Sequence, residues 1–231
     1  PSGALVNNVL WLILFAGGTV VFGLLIAVLS NGLKLERLVK SAVFLPMVIS
    51  ATAAAVIARF LFSTDPTIGV INAVLKAVIP GYTPIAWLGL AQAVNYALIG
   101  TGVWIWTGLS MTVLSAAYKS IDTAVLEAAR VDGASPWRTF WSVSVPMLAQ
   151  PISFVAMTMI INSLKMIDLV LVMTFGGPAG ASRVIGFSFY WEVFNNNLVG
   201  YGSAVAIFML VTLIPLMVIQ VRRIRRQEAG R

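Results

Sequence analysis

Long apolar stretches, each close to the roughly 20 residues that a helix needs to cross a bilayer, constrain this sequence more than any other feature. Of the 231 residues, 59% are hydrophobic and only 10% are charged, whereas globular domains carry about a quarter charged residues. Lipid offers no hydrogen bonds to the backbone, so a spanning segment must satisfy its own N–H and C=O groups. We therefore predict an all-α integral membrane protein with a single transmembrane domain over residues 1–231.

Hydropathy predicts about five transmembrane spans and two shorter helices. Gly100, Gly102 and Gly108 are expected to interrupt the third span, and Pro46 lies inside the second. The two shorter helices, over residues 68–78 and 184–195, cannot cross the membrane and are expected at its surface. The predicted spans are residues 9–29, 41–62, 91–117, 151–173 and 203–221.

The basic residues are distributed unevenly between the two sides of this layout. Arg59, Lys76 and Arg183 lie on one side, and eleven of the fifteen basic residues lie on the other. The positive-inside rule puts the richer side in the cytoplasm, including the C-terminus. The N-terminus then lies outside and Pro1 is not an initiator residue, so we expect a further span before it. The eleven are Lys34, Arg37, Lys40, Lys119, Arg130, Arg138, Arg222, Arg223, Arg225, Arg226 and Arg231.

One polar segment, residues 119–149, interrupts the apolar sequence; we call it the polar loop. Asp122 and Thr123 are suitable N-caps for a helix over residues 124–131, and Asp132-Gly133 supplies a chain reversal. Ser135-Pro136 is a typical start of a second helix. Phe140, Val143 and Met147 then follow at helical spacing, beside Trp137 and Trp141. This pattern predicts a helix–turn–helix with an apolar face that fits a groove on a partner protein.

Several kinds of chemistry are excluded by the residues that the sequence lacks. It contains no cysteine and no histidine, which removes disulfides, Cys/His metal sites and histidine bases. A G-x-x-x-x-G-K-[ST] phosphate loop is also absent, so this chain is not expected to bind a nucleotide through that motif. The net charge of +7 lies in clusters beside the spans rather than along one face, which argues against nucleic acid as a partner. A membrane aspartyl enzyme would need two embedded aspartates, and the predicted spans hold one.

A second group of candidates lies within the spans. Asn162, Lys165 and Asp168 are three residues apart and are predicted to share one face of the fourth span. Charges at membrane depth face a wet cavity or each other, so the group either lines a translocation path or forms a structural ion pair. One function that such residues could serve is that of a secondary transporter, with Lys165 and Asp168 as an ion relay. Trp104 and Trp106 either stack on a sugar ring or serve as packing and interfacial anchors.

The polar loop resembles the EAA loop of ABC importer permeases, which forms the coupling helix against the ATPase subunit. The resemblance rests on Glu127-Ala128-Ala129, Asp132-Gly133-Ala134, Phe140 and Pro146. The alternative is an ordinary amphipathic helix on the bilayer surface, which leaves the joint spacing of these residues unexplained.

Other segments resemble the maltose-type first permease subunit of carbohydrate importers, and within it the alpha-glucoside and disaccharide group. These segments include Lys165 to Asp168, Met173 to Pro178 and Tyr201 to Ala204, with Lys40 to Pro46 and Asn7 to Leu10. The sequence departs at Phe175-Gly176-Gly177, where that group often has three glycines.

This resemblance implies a MetI-like permease bundle in the inner membrane of a bacterium or archaeon. It also implies a second homologous permease, two ATP-binding cassette ATPases that hold ATP and magnesium, and an extracytoplasmic sugar-binding protein. No cofactor or metal is expected on this chain. Within the loop, it assigns Glu127 and Asp132 to polar contacts and capping, Gly133 to the turn and Phe140 to the apolar contact.

Overall fold

A computed structural model describes residues 2–229 and the side chains of residues 3–222. Pro1, Arg231 and the side chains of Arg223, Arg225 and Arg226 lie outside the described residues. Every regular element in the described part is helical, as predicted. The helices are α1 (Ser2–Trp11), α2 (Gly17–Leu29), α3 (Glu36–Val48), α4 (Ala51–Leu61), α5 (Val70–Val78), α6 (Val94–Lys119), α7 (Thr123–Val131), α8 (Pro136–Thr139), α9 (Val145–Met147), α10 (Ala149–Lys165), α11 (Asp168–Met173), α12 (Ile185–Phe194) and α13 (Val199–Ala229).

Three helices of the described chain are long and apolar enough to cross a membrane: Gly3–Leu29, Val94–Lys119 and Val199–Arg222. The first joins α1 to α2 through the π-helical segment Leu12–Ala16, so it begins earlier than predicted. Two bent helix pairs raise the number of candidate spans to five, which agrees with the predicted number. The predicted short helices are confirmed as α5 and α12.

The second predicted span is wrong as a continuous helix, because it divides into α3 and α4 with a bend of 105°. Pro46 lacks a backbone N–H and lies near the end of α3, while Ile49 is extended (φ −75°, ψ 141°). Ser50 then accepts a hydrogen bond from the Ala53 N–H at 3.2 Å and caps α4. Apolar length predicted one span here, but the proline and the capping serine together favour a break.

Helix α6 is the central element, and its glycines do not interrupt it as predicted. It packs along α2 and α3, and Gly102 and Gly108 lie where neighbours approach closely. A Cβ on Gly102 would lie 3.1 Å from the Phe15 ring, and one on Gly23 of α2 would meet Ser110 of α6. These positions therefore act as contact points between helices rather than as breaks.

The fourth predicted span is also divided. Helix α10 ends at Lys165, Met166 is extended (φ −67°, ψ 112°), and α11 begins at Asp168. Met166 is buried, so protein covers the break. The short helix α11 packs against α4, which brings the second halves of two divided spans together.

We predict that Gly108→Ala destabilises the bundle, because the new Cβ would lie 2.9 Å from both the Phe44 Cα and the Val43 carbonyl oxygen. Backbone atoms cannot rotate away, and overpacking of this kind costs about 1–3 kcal/mol. The measurement is the thermal midpoint of the detergent-solubilised protein, followed by tryptophan fluorescence. Gly100→Ala is the matched control on the same helix, since its Cβ would meet nothing within 4 Å. Equal midpoints for the two variants would contradict the close contact between α3 and α6.

Candidate functional site

The first half of the polar loop is a capped helix with a defined stop. Asp122 Oδ1 accepts a hydrogen bond from the Ala124 N–H at 2.9 Å and caps α7. At the other end, the Gly133 N–H donates to the Arg130 carbonyl and the Ala134 N–H to the Ala129 carbonyl, both at 3.0 Å. This pair of bonds is a Schellman motif, which needs a left-handed residue; Gly133 has φ +79°. The predicted cap and glycine turn are confirmed.

The second half begins and ends at prolines. Ser135 Oγ accepts from the Arg138 N–H at 3.3 Å, and Pro136 occupies the first position of α8. A π-helical segment, Phe140–Ser144, follows immediately. Pro146 is the second residue of α9 and has no N–H to continue the ladder of hydrogen bonds. The chain then bends by 70° into α10, so the loop leaves the bundle at a fixed angle.

Three aromatic rings of the second half of the loop lie against one another, and two of them are exposed. The Trp137 and Trp141 ring centroids lie 5.7 Å apart, and those of Phe140 and Trp141 lie 5.0 Å apart, both edge to face. Trp137 is 71% exposed, Trp141 51% and the nearby Val131 87%. We call Val131, Trp137, Phe140 and Trp141 the aromatic face. Monomeric proteins seldom leave such large apolar side chains grouped in water.

The two acidic candidates of the loop lie beside the turn. Glu127 and Asp132 are exposed, and within the described residues neither carboxylate forms a hydrogen bond or ion pair. The side-chain caps of the loop come from Asp122 and Ser135, and Asp132 is the C-cap residue of α7. The polar contacts predicted for Glu127 and Asp132 stay a prediction. Ala128 is exposed, Ala129 and Ala134 are half-buried, and Pro146 is exposed. Two solvated carboxylates are thus available next to the aromatic face.

A charged cluster at the base of the loop was not identified from the sequence, which presented its lysines only as topology signals. Glu36 Oε1 accepts from Lys40 Nζ and from Lys119 Nζ, each at 2.6 Å. Glu36 Oε2 accepts from the Gly32 N–H at 3.1 Å, and Lys40 also donates to Ser115 Oγ. The i,i+4 spacing of Glu36 and Lys40 was the available signal; the contact with Lys119 required the fold.

At the opposite end of the bundle, Lys165 and Asp168 do not share a helical face. The break at Met166 and Ile167 separates them, and both side chains are exposed in the single chain. In the part of the chain that the structure describes they form no ion pair, which contradicts the predicted structural pair. Asn162 Nδ2 donates to the Thr158 carbonyl within its own helix at 3.1 Å, and Trp104 on α6 is 39% exposed.

A cavity of about 560 Å³ lies beside α4, between it and the following loop. Arg59 lines it and donates to the Val172 carbonyl of α11 at 3.5 Å. The hydroxyl groups of Ser63 and Thr64 and the side chain of Met173 contribute to the same wall. The second halves of the two divided spans, α4 and α11, therefore border a cavity that holds a cationic side chain.

Buried asparagines fix the segment that follows α11. Asn7 Nδ2 donates to the carbonyls of Ala181 at 2.7 Å and Arg183 at 2.8 Å. Asn95 Nδ2 bonds Asn7 Oδ1 at 3.1 Å and the Ala181 carbonyl at 2.9 Å. Asn8 Oδ1 accepts from the Ile185 N–H at 2.7 Å at the start of α12. The middle of α1, the starts of α6 and α12 and one loop are thereby held together by polar contacts.

Comparisons with known proteins agree with this architecture. Residues 19–228 match the family described as binding-protein-dependent transport system inner membrane component. The chain is 41% identical to the osmoprotective compounds uptake permease protein GgtC of Synechocystis sp., over 96% of this chain and 80% of that protein. It is 34% identical to the alpha-glucoside transport system permease protein AglF of Rhizobium meliloti, over 97% of this chain and 67% of that protein.

The fold also matches a solved structure, that of a bacterial ABC transporter involved in the import of the acidic polysaccharide alginate. The TM-score is 0.82 at 21% identity, over 97% of this chain and 78% of that one. These findings confirm the resemblance expected from the polar loop and the fold that it implied. The chain belongs to the family of binding-protein-dependent transport system inner membrane components.

Proposed function

We propose that this chain is a permease subunit of an ATP-driven, binding-protein-dependent sugar importer. Variants of its polar loop test this function most directly. The chain would form half of the translocation path, with a second homologous permease as the other half. The family and the relatives named for alpha-glucosides and osmoprotective compounds support the import of a small hydroxylated solute. The single observation that carries the coupling role is the aromatic face, held rigidly on a capped helix–turn–helix.

The polar loop docks into a groove on an ATP-binding cassette ATPase, and two such subunits serve the pair of permeases. Exposed tryptophans are the side chains that most often dominate protein interfaces, and Trp137 and Trp141 lie on one side of the loop. Glu127 and Asp132 are free to accept hydrogen bonds from the partner. ATP and magnesium are bound by the ATPases. For closure of the ATPases to move this chain, the docked loop must have different contacts in the two states.

The solute path lies along the outer halves of the divided spans, near the breaks. Irregular backbone at membrane depth is tolerated where it is buried in protein or lines a water-filled cavity. Lys165 and Asp168 flank one such break, and Arg59 lines the neighbouring cavity. Together with Asn162 they offer donors and acceptors for sugar hydroxyl groups, and Trp104 offers a ring face. The separation of Lys165 from Asp168 removes the main support for an ion-relay transporter.

The charge distribution supports one orientation in the inner membrane. Lys34, Lys119 and Arg138 lie with the polar loop at one end of the bundle, whereas Arg59 and Arg183 lie at the other. The positive-inside rule puts the loop end in the cytoplasm with the ATPases. The end fixed by Asn7 and Asn95 then faces the extracytoplasmic sugar-binding protein.

We predict that Gly133→Pro and Glu127→Lys each abolish sugar-stimulated ATP hydrolysis and transport by the assembled complex in liposomes with the binding protein present. Proline requires φ near −65°, whereas Gly133 has φ +79° and donates to the Arg130 carbonyl. Glu127→Lys reverses the charge beside the aromatic face. Gly133→Asn is the matched control, since asparagine tolerates the left-handed region, and it should retain most of the activity.

The ATPase that co-purifies with each variant is measured alongside transport. Undiminished transport by Gly133→Pro and Glu127→Lys, with no ATPase in the purified complex, would contradict the coupling role of the loop.

A separate prediction concerns the breaks in the spans. Lys165→Met and Asp168→Asn should each lower sugar transport about tenfold or more, since a hydrogen bond to a charged group contributes about 1.5–3 kcal/mol. Basal ATP hydrolysis and binding of the ATPase should remain. Lys76→Met on the surface helix α5 is the matched control and should transport normally. Normal transport of a panel of disaccharides by both break variants would place the path elsewhere.

A further inference from the structure

We infer that Glu36 is a positioning residue that transmits movement of the polar loop to α3, an inference that rests on the proposed coupling role of the loop. Its carboxylate joins three parts of the chain: the turn before α3 through Gly32, α3 through Lys40 and the end of α6 through Lys119. The family's loop motif does not include this residue, and the proposed function gives the charged cluster around it no role.

The position of Lys119 connects the Glu36 contact to the polar loop. Lys119 is the last residue of α6, three residues before Asp122, which caps α7. A displacement of the docked loop therefore reaches the bundle through two chain connections, α10 at one end and the segment that Lys119 begins at the other. Because Lys119 Nζ lies 2.6 Å from Glu36 Oε1, the displacement reaches α3 directly as well as through α6.

Contacts at two levels then hold α3 to α6. One level is polar and joins Glu36 to Lys119 and Lys40 to Ser115. The other, two helical turns along α3, is the close approach of Phe44 and Val43 to Gly108. Since α3 is held near both ends, the next place where the chain can bend is the extended residue Ile49 before Ser50. Beyond that joint, α4 packs against α11, the half-helix that begins at Asp168.

The environment of the carboxylate favours a positioning role over a solvated surface pair. The side chains of Glu36 and Lys40 are 18% and 20% exposed, and that of Lys119 is 53% exposed. Gly32 and Lys40 hold Glu36 in place from its own side, so the carboxylate is already oriented toward α6. Within this cluster, the Glu36–Lys119 and Lys40–Ser115 contacts cross between α3 and α6.

The test compares ATP hydrolysed per sugar transported in the full complex reconstituted with its binding protein. Glu36→Gln should raise this ratio about threefold, on the scale of a partly exposed ion pair, while the amount of inserted protein and bound ATPase stays constant. Lys119→Met should have the same effect and leaves Glu36 paired with Lys40 and Gly32, so it probes the contact even if Glu36→Gln folds poorly. Lys34→Met, an exposed lysine in the same turn, is the matched control and should leave the ratio unchanged.

A cross-link provides the rescue. The native sequence has no cysteine, so a Glu36→Cys/Lys119→Cys variant carries only the introduced pair. Before treatment the ratio should be raised as in Glu36→Gln; a short, reducible bis-methanethiosulfonate linker should restore it, and reduction should raise it again. A ratio that stays at the wild-type value in Glu36→Gln and Lys119→Met, or that stays raised after cross-linking, would overturn the role of Glu36 alone. Absence of ATP-driven transport in the wild type would overturn the proposed function, and this inference with it.

Discussion

Backbone groups in lipid must find partners within the protein, and the divided spans of this chain depend on how that requirement is met. Helix α6 meets it along its whole length and serves as the central element. The spans around it do not: α3 gives way to α4 at Ile49, and α10 gives way to α11 at Met166. Both breaks lie against other helices, where protein or a wet cavity supplies the missing partners. Lys165 and Asp168 flank the second break, and the cavity lined by Arg59 and Met173 lies toward the far ends of the half-helices α4 and α11.

The helices around these breaks pack closely because small residues at their contacts let the backbones approach one another. Gly23 meets Ser110, Gly102 meets Phe15, and Gly108 meets the backbone of Phe44. Apolar side chains within a bilayer are already out of water, so the hydrophobic effect does not drive helices together. Helix association depends instead on dispersion contacts and interhelical hydrogen bonds. Close backbone approach increases the dispersion contacts, and the buried asparagines at one end of the bundle supply the hydrogen bonds. The outer surface is different: α13 exposes its apolar residues in the single chain, as expected of a helix that faces lipid or a second subunit.

Sequence reasoning succeeded where the signal was local. Asp122, Gly133 and Ser135-Pro136 were identified as caps and turn because each acts on hydrogen bonds within a few residues. It failed where two local signals competed over a long apolar stretch, since hydropathy cannot tell a continuous span from two half-helices. For that reason, the prediction that Lys165 and Asp168 share one helical face was wrong. Long-range polar contacts, such as Glu36 with Lys119 and Asn7 with Ala181, join residues far apart in sequence and leave no periodic pattern.

Apolar and polar contacts have different mechanical consequences in this bundle. Burial of apolar surface is non-directional, so helices held by it alone can slide or rotate at little cost. Hydrogen-bonded charges and amides fix a position, and here they occur at the two ends of α6: Asn95 near its start and Lys119 at its last residue. Between them α6 is unbroken, while α3 carries an extended joint at Ile49. A displacement of the polar loop is therefore passed on by the rigid helices α6 and α3. The chain then bends at Ile49, beside the half-helices that border the cavity.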